Sequence, residues 1–302
     1  MIDLHIHTHA SSDGQHSPRE IFEMAHAIGL RTIAFADHNS IASVAEGLRL
    51  AAEYGMEFFP CLEINTEFRG MDLHLLAYFI PIDNPDLQEF LQTIRDEKIQ
   101  QAHLRVRRLN ELGFEFTWQD LKKFSGEGIP TGVSYLKAIL LHRKNRRDPR
   151  LRPYIDGDRA DSPYFNFYRD FLRHGKPAYV PIRGISTIEA IQRIHRMGAI
   201  PVLAHPSDTG LENIPTLVEY GLEGLEAYSS YHDPAEQQFF NDFAKANGLL
   251  VTAGSDFHGQ AIKPDIVLGR INGNHQEMVA KLKEKHEEKV CHRKRSKGSS
   301  SI

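Results

Sequence analysis

Seven short apolar runs are spaced along the chain, and most of the gaps between them carry helix-start and helix-stop signals. The runs lie at 2–6, 31–37, 57–63, 73–80, 200–205, 224–229 and 249–255. Each is too short for a buried helix and reads as a buried strand. Between them, Ser17 or Pro18 opens a helical stretch that stops at Gly29. Asn39 or Ser40 opens another that runs to Tyr54 and stops at Gly55. Stretches 186–197 and 234–247 stop at Gly198 and Gly248. Polar caps, an early proline and a terminal glycine are what free helix ends require. A strand that returns through a helix re-enters its sheet in the same direction, so the pattern predicts an α/β fold with a mostly parallel sheet, open or closed into a barrel.

The alternation breaks between 85 and 180. Helical patterns at 87–112, 118–124, 134–141 and 164–174 follow one another with no strand signal between them. This predicts a helical insertion that caps the parent domain, which is built from 1–84 and 181–288. Within the insertion Arg143, Lys144, Arg146, Arg147, Arg150 and Arg152 form a basic segment. It reads as a solvated loop or as an electrostatic guide for a phosphorylated substrate. The last segment, 289–302, is basic and then Ser-rich, and is expected to be disordered, with Cys291 incidental in it.

Composition narrows the chemistry. Among 302 residues there are 17 His and only 2 Cys, with a formal charge of −4. Two cysteines supply neither a disulfide framework nor a thiolate zinc site. A mildly acidic chain lacks the broad basic face of a duplex-DNA binder. No run of about 18 apolar residues is present, so no membrane span is expected. The N-terminus has no basic segment followed by an apolar one, so no signal peptide is expected, and the location anticipated is cytoplasmic.

The histidines cluster where the strands end. His5 and His7 have the i, i+2 spacing that puts two side chains on one face of a strand. Asp13 follows in a polar loop. His38 comes directly after the second run, Glu63 ends the third, and His74 opens or lines the fourth. His205 ends the fifth, and Asp256 and His258 follow the last. In a parallel barrel all strand C-termini open on one face, so these residues converge there. Six imidazoles and three carboxylates exceed the needs of one ion and suit two or three divalent metals, especially if Glu63 bridges. Nitrogen and oxygen donors without thiolate favour Mn, Fe or Zn.

These motifs resemble those of the PHP (polymerase and histidinol phosphatase) family of metal-dependent phosphoesterases. The matching segments are Asp3-Leu4-His5-Ile6-His7 with Ser12-Asp13-Gly14, then Asp37-His38, then Ala204-His205-Pro206, and Gly254-Ser255-Asp256-Phe257-His258-Gly259. Glu63 and His74 match the ligands between the second and third motifs. The resemblance covers 1–83 and 182–270. It implies a distorted (β/α)7 barrel with a trinuclear site. His5, His7, Glu63 and Asp256 would hold one ion, Glu63, His74 and His205 a second, and Asp13, His38 and His258 a third. A hydroxide on ions held by Glu63, His205 and Asp256 would attack phosphorus.

The whole chain is most similar to the stand-alone branch with a helical insertion. That branch implies action on nucleoside 3′,5′-bisphosphates or short 5′-phosphorylated RNA. It often carries an Arg-Pro-His element where the insertion meets substrate, and here Thr131-Gly132-Val133-Ser134-Tyr135-Leu136 stands instead. Val133 and Tyr135 replace a guanidinium and an imidazole, and the basic segment at 143–152 is a candidate substitute. Ser134, Tyr135, Arg143 and Tyr228 are the candidate substrate residues. Tyr228 and Tyr231 are read as stacking on a base or as rim residues, His9 and His232 as candidate acids for the leaving group, and Cys61 as a small core residue. Asp3 and Asp37 are expected to orient ligand rings or to be surface carboxylates. Two other readings stay open: a phosphatase of a small non-nucleotide such as a sugar phosphate, and a metal-binding module without catalysis.

Overall fold

The computed structural model describes residues 1–126, 128–181, 185–273 and 275–298. The chain begins with β1 (Ile2–Ile6), α1 (Pro18–Ala27), β2 (Thr32–Phe35), α2 (Val44–Tyr54), β3 (Glu57–Phe58), β4 (Glu63–Phe68) and β5 (Met71–Tyr78). Helices follow: α3 (Pro85–Glu111), α4 (Trp118–Ser125), α5 (Gly132–Leu140), α6 (Arg143–Arg146) and α7 (Pro163–Phe167), the last continuing as a π-helical turn through Leu172. Alternation then resumes with α8 (Thr187–Met197), β6 (Ile200–Leu203), α9 (Ile214–Glu219), β7 (Gly224–Ser229), α10 (Pro234–Ala246), β8 (Leu250–Gly254) and α11 (His275–Gly298).

The caps read from the sequence form. Ser17 accepts from the Glu20 N–H while the Glu20 carboxylate accepts from the Ser17 N–H, and Asp233 and Glu236 make the same reciprocal pair at α10. Gly55 and Gly198 end their helices in the left-handed conformation that a side chain would strain.

Two sheets carry the strands: a parallel β1-β2-β3 and a five-stranded β4-β5-β6-β7-β8. They meet at two places. The Asp256 N–H donates to His5 O at 2.9 Å and the His7 N–H to Phe257 O at 2.9 Å. On the other side the Asn39 N–H donates to Glu63 O at 2.7 Å and the Glu63 N–H to Asp37 O at 3.2 Å. These links pull the ends of β1, β2, β4 and β8 together, which is where the histidines lie.

The strand pairs are mostly parallel, as expected, and β5 is the exception, antiparallel to both β4 and β6. Hydrophobic periodicity reports which face is buried and is blind to strand direction. Two expectations are corrected. The run 57–63 is not one strand: it breaks around Pro60, which has no N–H for a ladder, and the chain crosses from one sheet to the other before β4 begins at Glu63. The segment after 288 is not irregular. α11 continues through Gly298, and Lys289 anchors it by donating to Ala199 O at 2.9 Å and pairing with Glu223 at 2.8 Å. Residues 299–302 of the expected tail lie outside the described residues.

Three hydrophobic clusters pack around the sheets, and a fourth fills the space between the helices of 85–180 with Leu109, Phe114, Leu136, Ile139, Phe167 and Leu172. α3 joins the two regions. Its first half buries Leu87, Phe90 and Ile94 against the five-stranded sheet, and its second half buries Ala102 and Leu109 in the helical core. The β4–β5 hairpin reaches the same helices: Asp72 accepts from the Tyr168 phenol at 2.6 Å. No helix among the described residues is long and apolar enough to cross a membrane.

Candidate metal centre

Glu63 opens β4, fully buried, and five imidazoles surround its carboxylate. Oε1 lies 2.9 Å from His74 Nδ1, 3.3 Å from His205 Nε2 and 3.5 Å from His5 Nε2. Oε2 lies 2.8 Å from His38 Nδ1 and 3.3 Å from His7 Nε2. Glu63 does not end a strand as the sequence suggested, and His74 lies inside β5. They arrive through register: Asn65 pairs with His74 across the hairpin, and the Ala204 N–H donates to His74 O at 3.0 Å, so β4, β5 and the end of β6 meet at one level.

Asp256 is the second carboxylate of the cluster. Its Oδ1 lies 3.3 Å from His5 Nε2, 3.1 Å from His7 Nε2 and 3.4 Å from His258 Nδ1. Its Oδ2 is held by Lys263 Nζ at 2.6 Å and by the Tyr231 phenol at 2.6 Å. Asp13 stands at the open side, 3.7 Å from His38 Nε2 and 3.9 Å from His258 Nε2. All nine candidate ligands therefore come together. Their donor atoms fall into three overlapping sets: His5, His7, Glu63 and Asp256; His7, Asp13, His38 and His258; and His38, Glu63 and His74. The first is the set the resemblance implies. The others bring His7 and His38 into more than one set, while His205 faces the group through Glu63 Oε1.

The backbone is strained at two of these positions. His205 and Asp256 have φ of 28° and 58°, a region that side chains avoid. The surrounding contacts hold them there: Glu226 Oε2 accepts from the His205 N–H at 3.0 Å, and His5 O accepts from the Asp256 N–H at 2.9 Å.

The rings are oriented by groups that the sequence reading passed over. Glu226, fully buried in β7, takes His5 Nδ1 at 2.9 Å, and Ser11 Oγ meets His7 Nδ1 at 3.1 Å. An acid inside the apolar run 224–229 was the available signal for Glu226. Asp3 and Asp37 are buried, and they pin backbone instead of turning rings. Asp3 accepts from Ser255 Oγ at 2.6 Å and from the Ser255 and Gly269 N–H groups. Asp37 accepts from the Thr8 N–H at 2.7 Å, from Thr8 Oγ1 at 2.8 Å and from the hydroxyls of Ser11 and Ser43.

Burial alone would depress the His5 and His7 imidazoles. The carboxylates reverse that, with Glu226, Glu63 and Asp256 holding His5 well above its ordinary value and Asp256 and Glu63 raising His7 to about 9. Burial would raise Glu63 and Asp256, yet the imidazoles around Glu63, and Lys263 with His258 and His5 beside Asp256, hold both carboxyls well below the usual range. The cluster is a set of ionised carboxylates that requires positive charge beside it. Three of its buried atoms, Asp13 Oδ1, His38 Nδ1 and Glu63 Oε2, have no hydrogen-bond partner, although two of them stand 2.8 Å apart. Unsatisfied lone pairs converging in a buried site fit cations as ligands.

A cavity of about 230 Å3 opens over the cluster, with Asp13, His38, His74, His205, Asp256 and His258 in its floor. The helices of 85–180 supply its far wall, and Ser12 in the ligand loop bonds across to Ile129 O at 2.5 Å. The candidate substrate residues are not in it. Tyr135 lies in the helical core, Ser134 Oγ accepts from the Thr131 N–H at the start of α5, Arg143 is exposed on the outer surface, and Tyr228 packs on Met278 and Gly273. The basic segment is occupied locally, Lys144 by Glu115 and Arg150 by Asp148. Val133 and Tyr231 do line the cavity. His9 is exposed away from it, and His232 Nδ1 donates to Ala227 O and its ring packs on Phe240. Cys61 is a buried core residue.

An α/β scaffold that gathers six imidazoles and three carboxylates under a cavity defines a metal-dependent hydrolase. The sequence model of the PHP domain matches residues 3–145. A 5′-3′ exoribonuclease of Haemophilus influenzae is 30% identical over 263 residues, covering 85% of this chain and 89% of that protein. A 3′,5′-nucleoside bisphosphate phosphatase of Chromobacterium violaceum is 26% identical, covering 85% and 87%. In fold, a Bifidobacterium adolescentis protein assigned as a metal-dependent phosphoesterase superposes with a TM-score of 0.74 at 24% identity, over 94% of this chain and 96% of that one. The chain belongs to the PHP family and is a metal-dependent phosphoesterase.

Proposed function

We propose that the cluster binds two or three divalent ions of Mn, Fe or Zn, and that the protein hydrolyses phosphate esters of nucleotides, either nucleoside 3′,5′-bisphosphates or short 5′-phosphorylated RNA. The observation that carries this reading is Glu63, one buried carboxylate with five imidazoles within 2.8 to 3.5 Å. Glu63 would bridge. His5, His7 and Asp256 would complete one ion's ligands, His74 and His205 a second's, and Asp13, His38 and His258 a third's. The names of the two relatives supply the nucleotide assignment.

Bound ions supply water acidic enough to attack phosphorus near neutral pH and neutralise the phosphoryl oxygens as charge moves. The protein's own groups do the rest. Glu226 and Ser11 fix the Nδ1 sides of His5 and His7, so the Nε2 atoms face inward. Lys263 and Tyr231 occupy Asp256 Oδ2 and leave Oδ1 to the cluster. Ligand imidazoles act only when neutral, so His5 and His7 would have to give up their protons to hold an ion.

We read 85–180 as a cap on the parent domain and the two sheets as halves of a distorted (β/α)7 barrel joined at His5–Asp256 and Asp37–Glu63. The test is phosphate release by Mn-loaded protein from nucleoside 3′,5′-bisphosphates, 5′-phosphorylated RNA oligomers and sugar phosphates. Turnover of the nucleotides first supports the reading, preference for sugar phosphates replaces it, and no turnover of any ester refutes it.

A further inference from the structure

Two asparagines stand behind His74. Asn65 follows Glu63 by two positions on β4, so both side chains leave the same face of the strand, and it pairs with His74 across the hairpin. Asn39 follows His38 and is buried, at a φ of 50° that asparagine tolerates better than most side chains.

Proton positions along these contacts follow from one backbone group. The Asn65 N–H can only donate, and it meets Asn39 Oδ1 at 3.1 Å. That fixes which end of the Asn39 amide is the oxygen, so its Nδ2 points on to Asn65 and donates to Oδ1 at 2.5 Å. The Asn65 amide is fixed in turn, and its Nδ2 stands 2.7 Å from His74 Nε2. An amide nitrogen only donates, so Nε2 accepts. A neutral imidazole has one proton, which therefore sits on Nδ1 and is donated to Glu63 Oε1 at 2.9 Å. Turning over either amide would set two donors against each other.

The neighbouring rings are set the other way. His5 and His7 have Nδ1 held from behind, by Glu226 and Ser11, and turn Nε2 inward. His74 turns Nδ1 toward Glu63, and the amides place a proton on that atom. A ring nitrogen bearing a proton has no lone pair for an ion. An ion shared by Glu63, His74 and His205 must move the proton to Nε2, where it meets the amide N–H of Asn65.

We propose that the Asn39–Asn65 relay holds His74 as a hydrogen-bond donor to Glu63, and that the ion shared by Glu63, His74 and His205 is for this reason the most weakly bound of the cluster. The second half rests on the reading above, that the cluster binds divalent ions; the first does not. Asn65 is a positioning residue that acts through His74. Activity that needs this ion then follows free Mn²⁺ over a higher range than the other ions require.

The first readout is the nitrogen NMR spectrum of the His74 ring in the chelated full chain, assigned by its loss in His74→Gln, at a pH where the ring is neutral. Nδ1 should show the shift of a protonated nitrogen and Nε2 that of a bare one, and the reverse would overturn the relay. Asn65→Asp offers an acceptor to both Asn39 Nδ2 and a proton on Nε2, so it should exchange the two shifts. The second readout is calorimetric titration of chelated protein with Mn²⁺. In the wild type the last ion should bind about tenfold more weakly than the one before it. Asn65→Asp should strengthen it about tenfold, and the uncharged Asn65→Leu about threefold, the worth of a whole and a partial hydrogen bond. A last ion unchanged or weakened in Asn65→Leu would overturn the link, even with tighter binding in Asn65→Asp, because added charge alone gives that. If no ion binds and the wild-type shifts are as stated, the metal reading fails and the relay stands. If ions bind and Nε2 carries the proton, the relay fails alone.

Discussion

Replacing Glu226 by Gln tests whether the cluster is tuned from behind. The substitution keeps size and shape and removes one buried negative charge. Two contacts are affected: the one to His5 Nδ1 at 2.9 Å and the one from the His205 N–H at 3.0 Å. Each is a hydrogen bond to a charged acceptor, worth about 1.5–3 kcal/mol, against about 1 kcal/mol for its neutral counterpart. The difference over two bonds is about 1–4 kcal/mol. Part of it falls on the protonated His5 of the metal-free state, which Glu226 also stabilises, so the net effect on ion binding is smaller than the gross sum. Loss of such supporting partners typically weakens ion affinity about 10–100-fold, and the lower half of that range is expected here. The assay is competition of chelated wild type and Glu226→Gln with a fluorescent chelator for Mn²⁺, at one pH and ionic strength. Helical content by circular dichroism should be unchanged. An Mn²⁺ affinity within twofold of wild type would refute the assignment of Glu226 as the group that sets the His5 ring.

Further outcomes follow from the same contacts. His7 is raised to about 9 from an ordinary 6.5 in the metal-free protein, so its proton must leave for an ion to bind. Ion affinity measured by calorimetry should therefore rise with pH between about 6.5 and 9 and flatten above, with proton release in buffers of different ionisation enthalpy. By the same linkage, the raised His7 stabilises the chelated fold fully below 6.5, and that contribution is lost as pH rises through about 9, which denaturant titrations at several pH values will show. Asp37→Ala strands the buried donors of Thr8, Ser11 and Ser43 and should cost about 3–5 kcal/mol in urea unfolding. Gly254→Ala puts a Cβ against His5 Cβ and Glu226 Oε1, and the overpacking should cost about 1–3 kcal/mol and weaken ion binding together.

Much of this site was legible because its residues interrupt apolar runs. His5, His38, His205, Asp256 and His258 each stand in or just beyond a strand whose burial is unmistakable, so their convergence followed once the strands were placed. Glu63 was read as ending the third run and instead opens β4, whereas His74 lines its strand as expected. Register along the β4–β5 hairpin, which composition does not encode, brings both to the cluster. The antiparallel direction of β5 was not visible for the same reason. Glu226 stands out as an acid inside an apolar run, but its role shows only once its partner His5, 221 residues away, is placed beside it. The cavity cations were overlooked because α3 is polar on most of its surface. Arg105 becomes buried only through packing against Tyr168 and Leu172, and Lys98 stays half-buried at the cavity wall. The segment 143–152 carries the most local charge, but that charge is engaged away from the cavity, Lys144 with Glu115 and Arg150 with Asp148.

The central claim is that the imidazole–carboxylate cluster is a metal site, and metal content tests it most directly. Wild-type protein and Glu63→Ala, each loaded with Mn²⁺ and passed through a desalting column, are analysed by plasma mass spectrometry against protein concentration. The account predicts about two to three ions per chain in the wild type and a loss of at least one ion in the variant. A wild-type value near zero, or equal values in the two proteins, would contradict it.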